Sequence, residues 1–369
     1  MQPENANGAF NKSTLNIVVA GGGTAGHIEP AMNLADELKR RHPEAKITAL
    51  GTQKGLEVSL VPARGYDLQY VRAVPLPRKL SLKLFALPIL LRAAVVETRA
   101  LLHVLQADIV IGFGGYVSVP AYLAARGQVP IVVHEANAKA GLANRLGAQF
   151  ADAIAITVPD SLANGVLTGV PLRDSIAKLN RAQTRDVARS HFGITNNLPT
   201  VLVFGGSQGA QSLNKVVEQA KRDGLLEHVN VIHAVGKKND FAFAKSDNYI
   251  PLNYIEQMDL AYAVADFVVA RSGAMTVAEV TAVGLPACFV PLPIGNGEQK
   301  LNAQPVVSAG GALMVENEKF SAEYIRTEVL PIVTDVNRLS QMASASKSCG
   351  RQDATSRLAD IVEHVLKVH

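Results

Sequence analysis

The chain has 369 residues, more than one hydrophobic core usually serves, so we expect two domains. Hydrophobic residues make up 48% and charged residues 18%, which excludes a largely disordered chain. The formal net charge of +4 comes without a long basic block, and the two cysteines have no metal-binding or disulfide spacing. Nucleic-acid binding, a metal site and a disulfide scaffold are therefore not indicated, and a reducing compartment fits best.

Residues 1–13 are polar and predict a flexible tail. The first predicted strand, Leu15 to Ala20, then enters a glycine-rich turn at Gly21 to His27, behind which apolar residues recur at helical spacing. A glycine turn between a buried strand and a helix start presents unpaired backbone N–H groups, which bind phosphate. The next strand, Ile47 to Leu50, lacks the acidic residue at its tip that would hold a dinucleotide ribose, which argues against a dehydrogenase.

Residues 78–92 combine leucines at helical spacing with several basic side chains. Pro88 and Arg92 interrupt the apolar run, which is shorter than the ~20 residues needed to span a bilayer. Two interpretations stay open at this point. The segment is either a helix that packs on the core with solvated basic residues, or a surface that docks on an anionic membrane face.

Polar residues follow two more predicted strands of the first half. The strand Asp108 to Gly112 leads into a glycine turn at Phe113 to Tyr116, and the strand Pro130 to Val133 is followed by the segment 134–137, read HEAN. Open α/β sheets bind ligands at the carboxyl ends of their strands, so these segments are candidate site elements. The first half closes at a Gly- and Pro-containing linker at Thr168 to Arg173.

The second half repeats the alternation of strand and helix. The strand Thr200 to Phe204 precedes GGSQGA at 205–210, and Phe267 to Ala270 precedes RSGAMTVAE at 271–279. A carboxylate at Glu279, near a phosphate site, is favourable when it holds hydroxyl groups, so a ribose or sugar diol is its expected partner. Three further strands and a terminal amphipathic helix are predicted at Val229 to Val235, Ala287 to Val290, Ala312 to Val315 and Gln352 to His369.

These elements predict an α/β fold of two doubly wound Rossmann-like domains that face a cleft, the GT-B glycosyltransferase type. We expect a first domain at residues 14–170, joined by the C-terminal helix at 351–369, and a second domain at 171–350. Five motifs in chain order resemble the MurG family of N-acetylglucosaminyltransferases. They are GGGTAGH at 21–27, GFGGYVSVP at 112–120, HEAN at 134–137, GGSQGA at 205–210 and RSGAMTVAE at 271–279.

The resemblance implies transfer of N-acetylglucosamine from UDP-N-acetylglucosamine to the muramoyl 4-hydroxyl of lipid I. The product would be lipid II of peptidoglycan synthesis, with a β1,4 bond formed by inversion and no cofactor. It also implies a peripheral protein on the cytoplasmic side of the cell membrane, held there through residues 78–92, in contact with lipid I and with other cell-wall synthesis proteins. No DxD metal motif precedes the donor site, so helix dipoles and an arginine would neutralise the departing diphosphate.

The resemblance also assigns site residues. His27 is the first candidate for the general base that deprotonates the acceptor, and Glu135 is the alternative if His27 binds phosphate. At Ala136 this chain departs from the family, which usually has Gln there. The acceptor pyrophosphate is expected at Gly22, Gly23, Gly114, Gly115 and Tyr116. Donor binding is expected at Thr24, Ala25, Gly26, Asn137, Arg173, Ser207, Gln208, Gly209, Ile255, Met258, Ala274, Met275, Thr276, Glu279, Gln299 and Asn302.

Two alternative functions stay open from the sequence. A UDP-N-acetylglucosamine 2-epimerase would share the donor but would need no lipid-docking surface. A non-catalytic membrane scaffold of the cell-wall machinery would bind UDP and vesicles without transferring sugar. Epimerised sugar formed without an acceptor would favour the first, and binding without transfer would favour the second.

Overall fold

The computed structural model describes residues 14–74, 83–206, 209–237, 239, 245–293 and 296–369, with only the backbone described for residues 83–86. Four sequence-based predictions therefore lie outside the described residues. They are the tail at 1–13, the basic residues at 78–82, Ser207 and Gln208. The chain forms two compact units: unit 1 ends at Pro171 and also contains Asp353–His369, and unit 2 is Leu172–Gln352.

The described part of unit 1 contains a parallel sheet in the order β3-β2-β1-β4-β5-β6-β7. Its inner strands are short apolar runs buried on both faces, which is the pattern that parallel sheets require because helices cover both sides. The strands are β1 (Asn16–Gly21), β2 (Lys46–Gly51), β3 (Asp67–Tyr70), β4 (Ile109–Gly114), β5 (Ile131–Glu135), β6 (Ala153–Ile156) and β7 (Val166–Leu167). The helices are α1 (Ala25–Arg41), α2 (Glu57–Ala63), α3 (Lys83–Val104), α4 (Ser118–Ala125) and α5 (Leu142–Gly147).

Unit 2 contains a second parallel sheet, whose described strands follow the order β10-β9-β8-β11-β12-β13. The strands are β8 (Thr200–Phe204), β9 (Asn230–Ala234), β10 (Tyr249–Leu252), β11 (Phe267–Ala270), β12 (Ala287–Phe289) and β13 (Ala312–Met314). The helices are α6 (Asp174–Ala177), α7 (Arg181–Phe192), α8 (Gln211–Arg222), α9 (Met258–Val264), α10 (Ala274–Ala282), α11 (Glu298–Ser308), α12 (Ala322–Tyr324), α13 (Leu330–Val333) and α14 (Val336–Cys349), with a π-helical segment at Ile325–Val329.

The last helix, α15 (Ala354–Val368), belongs to unit 1 although unit 2 precedes it in the chain. Leu358 and Val362 are fully buried in the same hydrophobic cluster as Leu34 of α1. Polar contacts hold the same pair of helices, since Arg41 Nη1 lies 2.7 Å from Asp360 Oδ1 and Nη2 donates to the Ser356 hydroxyl over 2.8 Å. The C-terminal helix therefore completes one face of the first domain.

The predicted α/β class is confirmed for each unit, since both are doubly wound domains built on a parallel sheet. Two edge strands, β3 and β10, were not predicted from the sequence. β3 reads Asp-Leu-Gln-Tyr and is largely solvent-exposed, so it has no apolar run. Just before the predicted linker at Thr168 to Arg173, the chain adds only the two residues of β7 to the sheet.

Candidate functional site

The first glycine turn joins β1 to α1 at the carboxyl edge of the unit 1 sheet. Thr24 is the N-cap of α1 and its side chain makes no capping hydrogen bond. The N–H groups of Ala25 and Gly26 belong to the first turn of the helix and have no intrahelical acceptor. Together with the helix dipole, these amides form the kind of site that binds a phosphate group.

One amide of this turn already has an anionic partner. Gly23 N donates a 3.0 Å hydrogen bond to Oε2 of Glu57, a fully buried carboxylate at the start of α2. The protein itself therefore supplies an anion at the Gly23 amide, and the placement of Gly23 at the acceptor pyrophosphate stays a prediction. Sequence reasoning did not identify Glu57.

The second glycine turn, after β4, contacts the first. A Cβ at Gly115 would lie 2.4 Å from the carbonyl oxygen of Gly22 and 3.2 Å from Nδ1 of His27. Gly115 also has a φ of +86°, which side-chain-bearing residues adopt at a cost. Glycine is thus required at this point, and Tyr116 beside it is about half exposed. The structure brings the predicted acceptor pyrophosphate residues of both turns together.

The imidazole of His27 lies between the two turns. Nδ1 is 3.2 Å from the carbonyl oxygen of Gly22 and 3.2 Å from the Thr24 hydroxyl. A carbonyl oxygen can only accept, so the Gly22 contact fixes the proton on Nδ1 and leaves Nε2 with its lone pair. Burial lowers the pKa of His27, and this effect is opposed by the hydrogen bond to Gly22 and by the charges of Glu135 and Glu57. A neutral imidazole with an acceptor at Nε2 is the form that a general base requires.

The carboxylate of Glu135, at the end of β5, is enclosed by donors. Oε1 accepts from the backbone and side-chain nitrogens of Asn137, and Oε2 accepts from Gly141 N and Asn144 Nδ2, over 2.9 to 3.2 Å. Its exposed fraction is 2%. A carboxylate so occupied does not reach a substrate proton unless these bonds break, so the geometry argues against the alternative in which Glu135 is the base.

Asn144, which sequence reasoning missed, connects Glu135 to the second glycine turn. It also donates to the carbonyl oxygen of His134 and accepts from the hydroxyl of Tyr122 over 2.7 Å. A Cβ at Gly114 would lie 3.4 Å from Asn144 Nδ2 and 3.3 Å from His27 Nε2. Asn144 therefore links the Glu135 carboxylate to the glycine turn that lies against His27.

In unit 2 the predicted donor residues follow the carboxyl ends of strands in one sheet, except Arg173, which follows β7 of the other sheet. After β8, Gly209 N donates to the carbonyl oxygen of Gly206 over 2.9 Å, which closes the turn in front of α8. After β11, the residues Ala274, Met275 and Thr276 form the first turn of α10, whose N-cap is Gly273, a residue without a side chain to cap the helix. No described atom lies within 4 Å of a Cβ built at Gly273, so this helix start faces open space.

Glu279 lies within α10, with an exposed fraction of 9%. The hydroxyl of Tyr262 donates to its Oε2 over 2.9 Å. Burial and then the charge of Glu279 raise the pKa of Tyr262 well above its usual value, so the phenol remains a donor at all ordinary pH values. Tyr262 was not predicted, because it is distant in sequence and packs in the apolar core.

The remaining predicted donor residues have distinct environments. Arg173 is the N-cap of the short helix α6. The side chain of Ile255 is buried in the core, so only its backbone remains to face a ligand, and Met258 begins α9.

Gln299 accepts from Leu292 N through Oε1, which leaves its amide nitrogen for a ligand hydroxyl. Asn302 is buried and its Nδ2 lies 3.4 Å from the carbonyl oxygen of Ser272.

The described part of the segment 78–92 lies in α3. Ile89 and Leu90 are exposed by 75% and 43%, and Arg92 is also exposed. Leu87 and Leu91, two of the leucines at helical spacing, are half-buried, so the exposed apolar residues Ile89 and Leu90 lie on another side of the helix. Within the described chain, no helix has the length and hydropathy to cross a bilayer.

Comparisons with known proteins agree with this geometry. Residues 17–156 match the glycosyltransferase family 28 N-terminal domain, and residues 200–364 match the glycosyltransferase family 28 C-terminal domain. The fold and these two matches define the protein as a glycosyltransferase. The chain belongs to glycosyltransferase family 28, and the resemblance to MurG read from its five motifs is confirmed.

Two curated relatives are named UDP-N-acetylglucosamine–N-acetylmuramyl-(pentapeptide) pyrophosphoryl-undecaprenol N-acetylglucosamine transferase. The one from Saccharopolyspora erythraea is 55% identical over 98% of this chain and 97% of its own length. The one from Mycolicibacterium smegmatis is 52% identical over 96% of this chain and 94% of its own length. The crystal structure of Acinetobacter baumannii MurG is 27% identical, with a TM-score of 0.75 over 95% of this chain and 99% of that one.

A UDP-N-acetylglucosamine 2-epimerase from Neisseria meningitidis shares the fold, with a TM-score of 0.66 over 96% of this chain and 100% of that one. It is only 15% identical, so this likeness concerns the fold alone. The family matches and the curated relatives favour the transferase over the epimerase.

Proposed function

We propose that the protein transfers N-acetylglucosamine from UDP-N-acetylglucosamine to the muramoyl 4-hydroxyl of lipid I, the N-acetylmuramyl-(pentapeptide) pyrophosphoryl-undecaprenol of its curated relatives. The observation that carries this proposal is the pair of contacting glycine turns in unit 1 with the imidazole of His27 between them. This arrangement offers helix-terminal amides for a diphosphate beside a base for a hydroxyl proton.

The chemical step is a direct displacement. Nε2 of His27 takes the proton of the acceptor hydroxyl while its oxygen attacks the anomeric carbon of the donor. The bond from that carbon to the β-phosphate oxygen breaks, UDP leaves with both electrons, and the sugar configuration inverts. A half-buried ring with its proton on Nδ1 supports this role, because Nε2 is then the atom able to accept.

The donor is bound by unit 2. The first turn of α10 offers the amides of Ala274, Met275 and Thr276 to the diphosphate, and Arg173 neutralises the charge of the leaving UDP. Glu279, oriented by Tyr262, accepts hydrogen bonds from the ribose hydroxyls. The hydroxyl of Ser272 is fully buried and has no hydrogen-bond partner among the described residues. Because buried hydroxyls are normally paired, this is evidence that a polar ligand binds here. Thr24, Ala25, Gly26 and Asn137, which the resemblance assigns to the donor, belong to unit 1, and the helix-terminal amides of Ala25 and Gly26 are proposed here to bind the acceptor pyrophosphate.

The acceptor is bound by unit 1 at the cytoplasmic face of the cell membrane. Ile89 and Leu90, exposed beside Arg92, are suited to an anionic lipid surface because apolar side chains enter the headgroup region while basic ones remain at it. The protein associates there peripherally, next to other proteins of cell-wall synthesis.

The test is transfer of radiolabelled sugar from UDP-N-acetylglucosamine to a short-chain lipid I analogue. We expect the unmodified protein to form the disaccharide product, Glu279→Ala to lose donor affinity and His27→Ala to lose turnover. Equal activity in all three proteins would contradict the residue assignments. Epimerised sugar formed without acceptor, or binding of UDP and vesicles without transfer, would contradict the transferase itself.

A further inference from the structure

The carboxylate of Glu57 connects two segments that are distant in sequence. Oε2 accepts from Gly23 N over 3.0 Å, and Oε1 accepts from Thr52 N over 2.8 Å and from the Thr52 hydroxyl over 2.9 Å. The side chain is fully buried. One carboxylate therefore joins the turn after β1 to the loop after β2 at the carboxyl edge of the sheet.

Glycines make room for this carboxylate on its other sides. A Cβ at Gly55 would lie 1.9 Å from Oε2, one at Gly51 would lie 2.5 Å from Cγ, and one at Gly22 would lie 3.0 Å from Oε1. Contacts below 3.0 Å do not occur between real Cβ atoms and their neighbours. The loop at 51–55 and the turn at 22–23 are thus shaped around the Glu57 side chain.

Glu57 is held as an anion. Burial alone would raise the pKa of its carboxyl group, but hydrogen bonds from the backbone of Gly23 and Thr52 outweigh burial and lower it. The carboxylate thus accepts the hydrogen bond of the Gly23 amide without any substrate bound. The neighbouring amides of Ala25 and Gly26, at the start of α1, are left for another anion.

We infer that Glu57 is a positioning residue for the acceptor: it fixes the Gly22–Gly23 turn so that the α1 amides and His27 meet the acceptor pyrophosphate and hydroxyl. The inference rests on the proposed function. Glu57 acts through Gly23 and Gly22, since the Gly22 carbonyl oxygen in turn receives Nδ1 of His27 at 3.2 Å. Loss of the carboxylate releases the turn and with it the orientation of the imidazole.

Charge and position predict opposite effects, which makes the inference testable. If Glu57 acted only as a nearby negative charge, its removal would strengthen pyrophosphate binding. If it positions the turn, its removal weakens acceptor binding although the charge repulsion is relieved. The variants are Glu57→Gln, which has the same shape without the charge, and Glu57→Asp, which keeps the charge on a shorter side chain. Glu97→Gln is the matched control, because Glu97 is half exposed in an ion pair with Arg72.

For Glu57→Gln we expect the acceptor KM to rise about tenfold, the donor KM to stay unchanged, and Glu97→Gln to match the unmodified protein. The charges of Glu57 and Glu135 both raise the pKa of His27. Glu57→Gln removes the first of these charges, so the acid limb of the kcat profile should also move to lower pH. Glu57→Asp should keep this limb in place. An acceptor KM that falls or stays the same, or equal changes in both KM values, would overturn the inference.

Two further measurements keep the test independent of folding and of the proposed function. Thr52→Val removes one hydroxyl donor and keeps the backbone bond, so it should change the acceptor KM in the same direction by a smaller factor. Amide hydrogen exchange over residues 22–27 should be faster in Glu57→Gln than in the unmodified protein. If the unmodified protein transfers no sugar, the proposed function fails, and unchanged exchange over this turn would separately overturn the role of Glu57.

Discussion

Tyr262 donates its phenolic hydroxyl to Oε2 of Glu279 over 2.9 Å, within unit 2. Tyr262 is fully buried and Glu279 is nearly so, so this contact sets the direction in which the carboxylate faces. A buried carboxylate that loses a donor also loses part of its compensation for desolvation. The donor site therefore depends on a residue that touches no ligand in the proposed arrangement.

The first prediction follows from this pair. In Tyr262→Phe, we expect the KM for UDP-N-acetylglucosamine to rise about tenfold, since a hydrogen bond to a charged group contributes about 1.5 kcal/mol or more. The acceptor KM should not change. Tyr66→Phe is the matched control, because Tyr66 donates to the exposed carboxylate of Asp36 in unit 1. Steady-state kinetics measures both, and an unchanged donor KM in Tyr262→Phe would contradict the prediction.

The second prediction concerns the pH dependence of turnover. Burial lowers the pKa of His27 from its usual value of 6.5, so the neutral form that accepts a proton persists below that pH. We expect kcat to fall on the acid side with an apparent pKa below 6.5. His27→Ala should abolish turnover at every pH while leaving donor binding intact, whereas replacement of the exposed His103 by Ala should change neither. An acid limb above 6.5 would contradict the assignment of His27 as the base.

The third prediction tests the contact between the two glycine turns. Gly115→Ala introduces a Cβ 2.4 Å from the Gly22 carbonyl oxygen at a φ of +86°, so we expect a large loss of thermal stability and of turnover. Gly65→Ala is the control for backbone strain alone, because its φ is +78° and no described atom lies within 4 Å of the added carbon. That control should cost about 1–2 kcal/mol. Equal melting temperatures for the two variants would contradict the close contact.

The fourth prediction concerns acid stability. Burial lowers the pKa of His233 to about 4, while the unfolded chain keeps a value near 6.5. The unfolded state thus binds more protons between these values, and the free energy of unfolding should fall as pH is lowered through this window, by on the order of 3 kcal/mol. Denaturant titrations from pH 7 to 4 should show a shallower fall in His233→Gln. The exposed His228, changed to Gln, should leave the slope unchanged.

The fifth prediction concerns membrane docking. Replacing Ile89 and Leu90 by Asp removes two exposed apolar side chains and adds negative charge, so we expect binding to anionic phospholipid vesicles to weaken at least about tenfold. Val187→Asp alters a similarly exposed apolar residue of unit 2 and should have no effect. Vesicle co-sedimentation measures the difference. Equal binding of both variants would place the docking surface elsewhere.

The sequence predicted what depends on local pattern. Buried apolar runs located the inner strands, and the glycines after β1, β4 and β8 located the turns at their carboxyl ends. The roles of Glu57 and Tyr262 could not be predicted, because each contacts a partner remote in the chain. Glu57 is 34 residues from Gly23, and Tyr262 is 17 residues from Glu279. The enclosed state of Glu135 was equally hidden, since it depends on Asn144 and on the path of the loop at Gly141. Such pairings are set by the fold and leave no periodic signal.

The return of α15 to unit 1 has a consequence for biosynthesis. Leu358 and Val362 fill a core whose members outside α15 all precede unit 2 in the chain. Until the ribosome has added α15, unit 1 exposes the apolar groove along α1 that α15 will cover. The domain made first is accordingly the one completed last, and a premature stop codon just before residue 353 would leave it open while sparing its neighbour.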